Sequence, residues 1–228
     1  MYDPAAMVNR RWITYCLIGL AAIVASSAGE AQNADSEAAR EKWQRIPELF
    51  KALGIVEGST VADIGAGTGF LTVRLAAAVG PSGRVYAVDI APDALKTLSA
   101  RVAKAGLSQV QVVTSTEDDP NLPPSALDAV VMINTYHEIG KPDVVLGHVF
   151  KSLKPSGRLA LYEPSPKTTG ESRADQVSHH VLDPGIIVAE LKSAGFEVVT
   201  REDGFSANPS GPDAPYPYSL IVARRPRQ

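Results

Sequence analysis

Cysteine is almost missing from this chain of 228 residues: there is one, Cys16. It falls in an apolar N-terminal stretch and follows Tyr15, which does not fit a lipoprotein cleavage site. The rest of the chain has no thiol. That excludes a disulfide framework, a thiolate nucleophile, Cys-ligated zinc and Cys-held iron–sulfur clusters. An excess of one charge is missing too. The 22 Lys and Arg stand against 25 Asp and Glu, giving a net charge of -3. Without a basic surplus to neutralise phosphates, no nucleic acid is expected as a partner. A long apolar run is the third absence. Trp12 to Ala25 carries no charge, but it is short of the roughly 20 apolar residues that span a bilayer.

That short run has the flanks of an export signal. Arg10 and Arg11 precede it, and Ser26-Ser27-Ala28 or Gly29-Glu30-Ala31 offers small residues for cleavage. Arg10-Arg11-Trp12-Ile13 is also a partial match to a twin-arginine signal. Residues 1–31 are therefore read as a signal peptide or N-terminal anchor, the second form holding the membrane through residues 12–28. The expected location is exported, periplasmic or membrane-anchored, with the cytoplasm as the alternative. Residues 32–228 are left as the folded domain, and the sequence does not fix its oligomeric state.

The body of the chain is 45% apolar and 21% charged, ordinary for a globular protein. Residues 32–45 read as a lead-in helix, and Ile46 to Leu53 continues an apolar-periodic stretch that Gly54 ends. Strands and helices then alternate. Thr60–Ile64, Arg84–Val88, Val110–Val113, Asp128–Ile133 and Arg158–Tyr162 read as strands. Phe70–Val79, Asp93–Ala105 and Asp143–Leu153 read as the helices between them. This alternation predicts βαβ units and a parallel sheet. Asp183-Pro184 opens a further helix that runs to Ala194. Phe196–Thr200 and Tyr218–Ala223 come next with no helix between them, so they are expected to pair as an antiparallel hairpin, with 203–217 as a long loop. The expected fold class is α/β: a Rossmann-like three-layer αβα sandwich on a seven-stranded, mostly parallel sheet.

The strongest chemical signal is Asp63-Ile64-Gly65-Ala66-Gly67-Thr68-Gly69-Phe70, at the end of the first strand and the start of a helix. Alternate glycines let the backbone turn sharply and let a ligand come close. The helix start behind them offers unpaired N–H donors to an anion. Asp89, at the tip of the second strand and 24 residues after Gly65, is placed to accept both hydroxyls of a ribose. A dinucleotide fingerprint would need Gly or Ala where Phe70 stands, so the pyrophosphate turn is not matched.

With these residues the sequence resembles the class I S-adenosylmethionine-dependent methyltransferases over most of 45–223. The resemblance implies that Asp63, Gly65, Ala66, Gly67 and Gly69 wrap the methionine part of S-adenosylmethionine. It implies that Asp89, with Ile90 beside it, holds the ribose. Thr116, Glu117 and Asp118 approach the adenine amine, and Asn134-Thr135-Tyr136-His137-Glu138 faces the methyl group and the acceptor. Lys154-Pro155-Ser156-Gly157-Arg158 matches the turn before the fifth strand. The stretches Thr116–Pro120 and Tyr136-His137-Glu138 are similar to a group of small, often exported bacterial methyltransferases.

Each residue also has a plainer reading. Asp63 braces the loop, Asp89 caps the next helix, and Glu117-Asp118-Asp119 is a solvated turn. His137 is the candidate general base, since an imidazole near pH 6.5 suits that work. Tyr136 is the second candidate catalytic residue, and lining the cavity is its plainer role. His179-His180 reads as a surface pair. Two histidines without further nearby ligands are weak evidence for metal, and no metal site is expected. A small-molecule methyl acceptor is the expected partner, ahead of a protein side chain or a lipid-like quinone. Two other functions stay open: an exported S-adenosylmethionine- or nucleoside-binding protein without turnover, and a nucleotide-dependent oxidoreductase on a related fold.

Overall fold

The computed structural model describes residues 35–168, 170–210 and 216–227. The expected signal or anchor, with Cys16 in it, lies outside the described residues. By compactness the chain divides into residues 1–42 and 43–228. Of the first unit only 35–42 are described, and they are helical, within a helix α1 at 35–43. No helix among the described residues is long and apolar enough to cross a membrane. The strands all belong to the second unit.

After a turn at Arg45, α2 (Ile46–Leu53) carries Pro47 in its first turn and is capped by Gly54 in the left-handed region. The next elements alternate: β1 (Thr60–Ile64), α3 (Phe70–Val79), β2 (Arg84–Asp89), α4 (Pro92–Lys104), β3 (Val110–Thr114), β4 (Leu127–Ile133), α5 (Pro142–Ser152) and β5 (Leu153–Pro164). The chain ends with α6 (Arg173–Ser178), α7 (Pro184–Ser193), β6 (Glu197–Asn208) and β7 (Tyr216–Arg224). The strands form one seven-stranded sheet in the order β3-β2-β1-β4-β5-β7-β6. Pairs from β3 to β5 are parallel, and β7 runs antiparallel to both β5 and β6.

Side-chain alternation explains the three layers. On β4, Val130 and Met132 join Val145, Leu146 and Val149 of α5 and Ile187 and Leu191 of α7 in one core. Ala129, Val131 and Ile133 join Leu49 and Leu53 of α2 and Phe70 and Leu75 of α3 in the other. A strand buried on both faces must be apolar at nearly every position, as Leu127–Ile133 is. The strand order reverses between β1 and β4. In open α/β sheets the crevice for ligands lies outside the carboxyl ends of the strands at that reversal.

Most elements lie within a residue or two of where the sequence puts them. Three do not. β5 begins at Leu153 rather than Arg158, because Leu153 already pairs with Leu127 and a register shift then absorbs the chain around Ser156, which sits at φ 68. β6 continues to Asn208 instead of ending at Thr200; a bulge between Glu202 and Ser206, with Gly204 at positive φ, carries the pairing past a polar stretch that reads as loop. α6 arises inside a segment with no apolar period, started by Ser172, whose hydroxyl accepts the Asp175 N–H.

Candidate active site

A cleft of about 750 Å³ opens at the carboxyl ends of β1, β2 and β4, within the usual size of small-molecule sites. Its first wall is built from backbone. Gly65 and Ala66 both donate their N–H to the Val88 carbonyl, at 2.9 and 3.0 Å, folding the loop back onto β2. Gly65 is at φ 76, and a Cβ there would collide with the Thr135 side chain. Gly69 caps α3 from the left-handed region with no side-chain acceptor and no acidic residue in the first turn. The helix start thus meets the loop with no acidic residue in its own first turn.

Asp89 ties this wall together. Its Oδ2 accepts the Gly67 N–H at 2.8 Å and its Oδ1 the Ala91 N–H at 2.9 Å. Beside it Ile90 is 51% exposed, an apolar face left open at the cleft. Thr116 closes a turn with Asp119. Asp118 meets Lys141 from the opposite wall at 2.6 Å.

The second wall, after β4, depends on one carboxylate. Glu163 of β5 is fully buried. Its Oε1 accepts the N–H groups of Thr135 and Tyr136, at 2.9 and 2.8 Å, and its Oε2 lies 2.6 Å from His137 Nδ1. Asn134 takes a positive φ of 54 at the strand end, and Tyr136–Glu138 forms a 3₁₀ turn. With Nδ1 committed to Glu163, the other His137 nitrogen, Nε2, meets Glu138 at 3.0 Å. Burial alone would lower the His137 pKa. The hydrogen bond to Glu163, with the charges of Glu163 and Glu138, outweighs it and holds the imidazole above its ordinary value. A hydrogen bond from His180 holds Glu138 below the usual carboxylate range, against a small desolvation and with help from His137.

The sequence-expected residues divide into those that line the cleft and those that support it. Gly65, Asp89, Ile90, Thr116, Glu117, Asp118 and Asn134 line it. Ala66, Gly67 and Gly69 shape the loop from behind. Asp63 is buried at the base, where it accepts the Thr72 hydroxyl at 2.7 Å and so ties β1 to α3. Tyr136 is fully buried, and its hydroxyl donates to Glu190 of α7 at 2.7 Å, which in turn pairs with Arg173 at 2.8 Å. The phenol thus points to α7 and not to the cleft. Burial, then the bond to Glu190, raises its pKa above the ordinary value.

His180 departs from the surface-pair reading. It is exposed, yet its Nδ1 lies 2.7 Å from Glu138, and its ring packs edge-on to His137 with centroids 5.7 Å apart. Sequence reasoning also passed over Glu163 and Lys141. Glu163 had a signal: a carboxylate directly after the apolar run Leu159–Tyr162, on a strand that must be covered on both faces.

Known proteins resemble this chain in sequence and in fold. A family described as methyltransferase domain matches residues 62–159. A ubiquinone/menaquinone biosynthesis C-methyltransferase of Salmonella arizonae is 30% identical over 151 residues, 64% of this chain and 59% of that protein. The chain thus spans little more than half the length of that curated relative. Among solved structures, a SAM-dependent methyltransferase of Aquifex aeolicus is similar at 26% identity and TM-score 0.67, over 81% of this chain and 92% of that one. The fold is also that of Haemonchus contortus phosphoethanolamine N-methyltransferase 2 in complex with S-adenosyl-L-methionine, at 18% identity and TM-score 0.65, over 81% of this chain and 53% of that one.

Proposed function

We propose that this chain, which belongs to the class I S-adenosylmethionine-dependent methyltransferases, methylates a small-molecule acceptor seated against the Asn134–Glu138 wall. The observation that carries this reading is the meeting of two walls at one cleft: the glycine loop at the start of α3 with Asp89 on one side, and the Glu163-held turn on the other.

The cofactor's chemical demands match the first wall. An amino-acid end needs positive potential and close approach to backbone, which the start of α3 and the Gly65–Gly69 loop supply. A ribose needs a carboxylate, which Asp89 supplies. An adenine needs an apolar face and polar edge partners, which Ile90 and Thr116–Asp118 supply. Bound there, S-adenosylmethionine provides an electrophilic methyl group, and the protein's own part is alignment and exclusion of water. On the acceptor side, Asn134 and the Tyr136–Glu138 turn position the acceptor. His137, fixed by Glu163, assists loss of the acceptor's proton where the reacting atom carries one.

The test is to supply the purified chain with methyl-labelled S-adenosylmethionine and a panel of small hydroxylated, amino and quinol acceptors. Acceptor-dependent release of S-adenosylhomocysteine supports the reading. Protection against heat by NAD but not by S-adenosylhomocysteine would replace it with an oxidoreductase. Binding of S-adenosylhomocysteine without turnover on any arm favours the binding-protein alternative. The exported location is likewise a proposal, supported by the pattern of residues 1–31; cell fractionation, with sequencing of the mature N-terminus, tests it.

A further inference from the structure

His137, Glu138 and His180 bring an imidazole Nε2, a carboxylate oxygen and an imidazole Nδ1 within 4.8 Å of one another. We infer that these three side chains form a seat for one divalent transition-metal cation, of the zinc or ferrous-iron type, at the acceptor end of the cleft.

Three features support a built seat over a chance surface cluster. The first is the orientation of His137. Its Nδ1 is fixed at 2.6 Å by the fully buried Glu163, which leaves Nε2 turned to Glu138, 3.0 Å away, as the ligand atom. A carboxylate behind an imidazole is the arrangement that fixes tautomer and ring direction in metal-binding histidines. The second is the anchoring of His180. It stands at φ 54, just after α6, with its N–H on the Val177 carbonyl. Gln176 beneath it is buried and bonds the Glu171 carbonyl and the Asp183 N–H. The third is the graded exposure. His137 is buried while Glu138 and His180 are open, at 57% and 73%. Of the three, Glu138 lines the cleft, so a cation held here with three protein ligands would keep a coordination position for a molecule beside Glu138.

The donor set indicates the class of metal. Two imidazoles with one carboxylate suit zinc and ferrous iron better than magnesium or calcium, which take oxygen ligands. The inference rests on the acceptor docking at this wall, and it specifies how His137 assists. An acceptor hydroxyl bound to the cation has a lowered pKa. Its O–H bond breaks, the proton passes to bulk water, and the oxygen keeps the electron pair on the metal. His137 is then a ligand and not the base.

The experiment is calorimetric titration of the untagged, chelator-treated full chain with zinc, with cobalt substituted as a spectroscopic probe. The expected result is one ion per chain, cobalt bands of a nitrogen- and oxygen-ligated centre, and at least a tenfold loss of zinc affinity in both His180→Ala and Glu138→Gln. Absence of stoichiometric binding, or binding that both variants leave unchanged, overturns the inference. S-adenosylhomocysteine binding, measured on the same samples, separates this from the underlying reading: lost zinc with retained nucleoside binding overturns the metal seat alone.

Discussion

The two walls of the cleft are made by different means. The wall proposed for the cofactor is mostly backbone: a glycine loop, the start of a helix, and one aspartate that holds loop and helix entry together. The wall proposed for the acceptor is side chain. A single buried carboxylate from β5 collects two backbone N–H groups and an imidazole from the turn after β4. A second carboxylate, Glu190, ties that turn to α6 and α7. The difference predicts opposite responses to mutation. Changes in the first wall should cost ligand affinity with a smaller loss of stability, and changes in the second should cost stability first.

The largest effect is expected at Glu163. Glu163→Ala removes the common acceptor of three donors, and breaking such a buried charged network costs about 3–5 kcal/mol. Urea unfolding checks this. A midpoint that does not move would mean the turn after β4 holds itself without the carboxylate. Asp89→Ala is the counterpart in the other wall. Hydrogen bonds to charged groups contribute about 1.5–3 kcal/mol, so affinity for S-adenosylhomocysteine should fall about 10–100-fold. Equal losses of stability at Asp89 and Glu163 would erase the distinction.

Tyr136→Phe should cost about 1.5 kcal/mol, the low end for a hydrogen bond to a carboxylate, since Arg173 still pairs with Glu190, and it should change the pH dependence. The raised phenol pKa means that folded and unfolded chains are both protonated here up to about pH 10. Above that, only the unfolded chain ionises and gains free energy, so stability falls as pH rises. The Phe variant should lose that part of the alkaline slope, as unfolding curves at about pH 9 and pH 11 would show. Smallest is Lys141→Ala. Its exposed pair with Asp118 should leave the unfolding midpoint unchanged, and any effect should be confined to ligand affinity.

The same contrast explains what the sequence reveals. The cofactor wall is legible because its residues are local and chemically constrained. Gly65 needs positive φ and room beside Thr135, and Asp89 sits where a parallel strand must end. The alternation that fixes the sheet is legible for the same reason. The acceptor wall joins residues far apart in sequence, His137 with Glu163 and Glu138 with His180. No local period encodes those meetings; they arise because β5 lies beside β4 and because the chain turns after α6. Asp63 and Tyr136 show the converse. Both carry a residue type that reads as chemistry, yet burial assigns one to Thr72 and the other to Glu190. The strand extension past Gly204 is illegible because pairing with β7, and not propensity, carries it.

The assignment of the Gly65–Asp89 wall to S-adenosylmethionine stands or falls on calorimetric titration of the full chain with S-adenosylhomocysteine. Wild type and Asp89→Ala are compared, with NAD as the control. Saturable binding of one molecule per chain is expected, with at least a tenfold loss in the variant and no response to NAD. A folded wild-type protein that binds NAD, or that binds S-adenosylhomocysteine equally well with and without the Asp89 carboxylate, would refute the assignment.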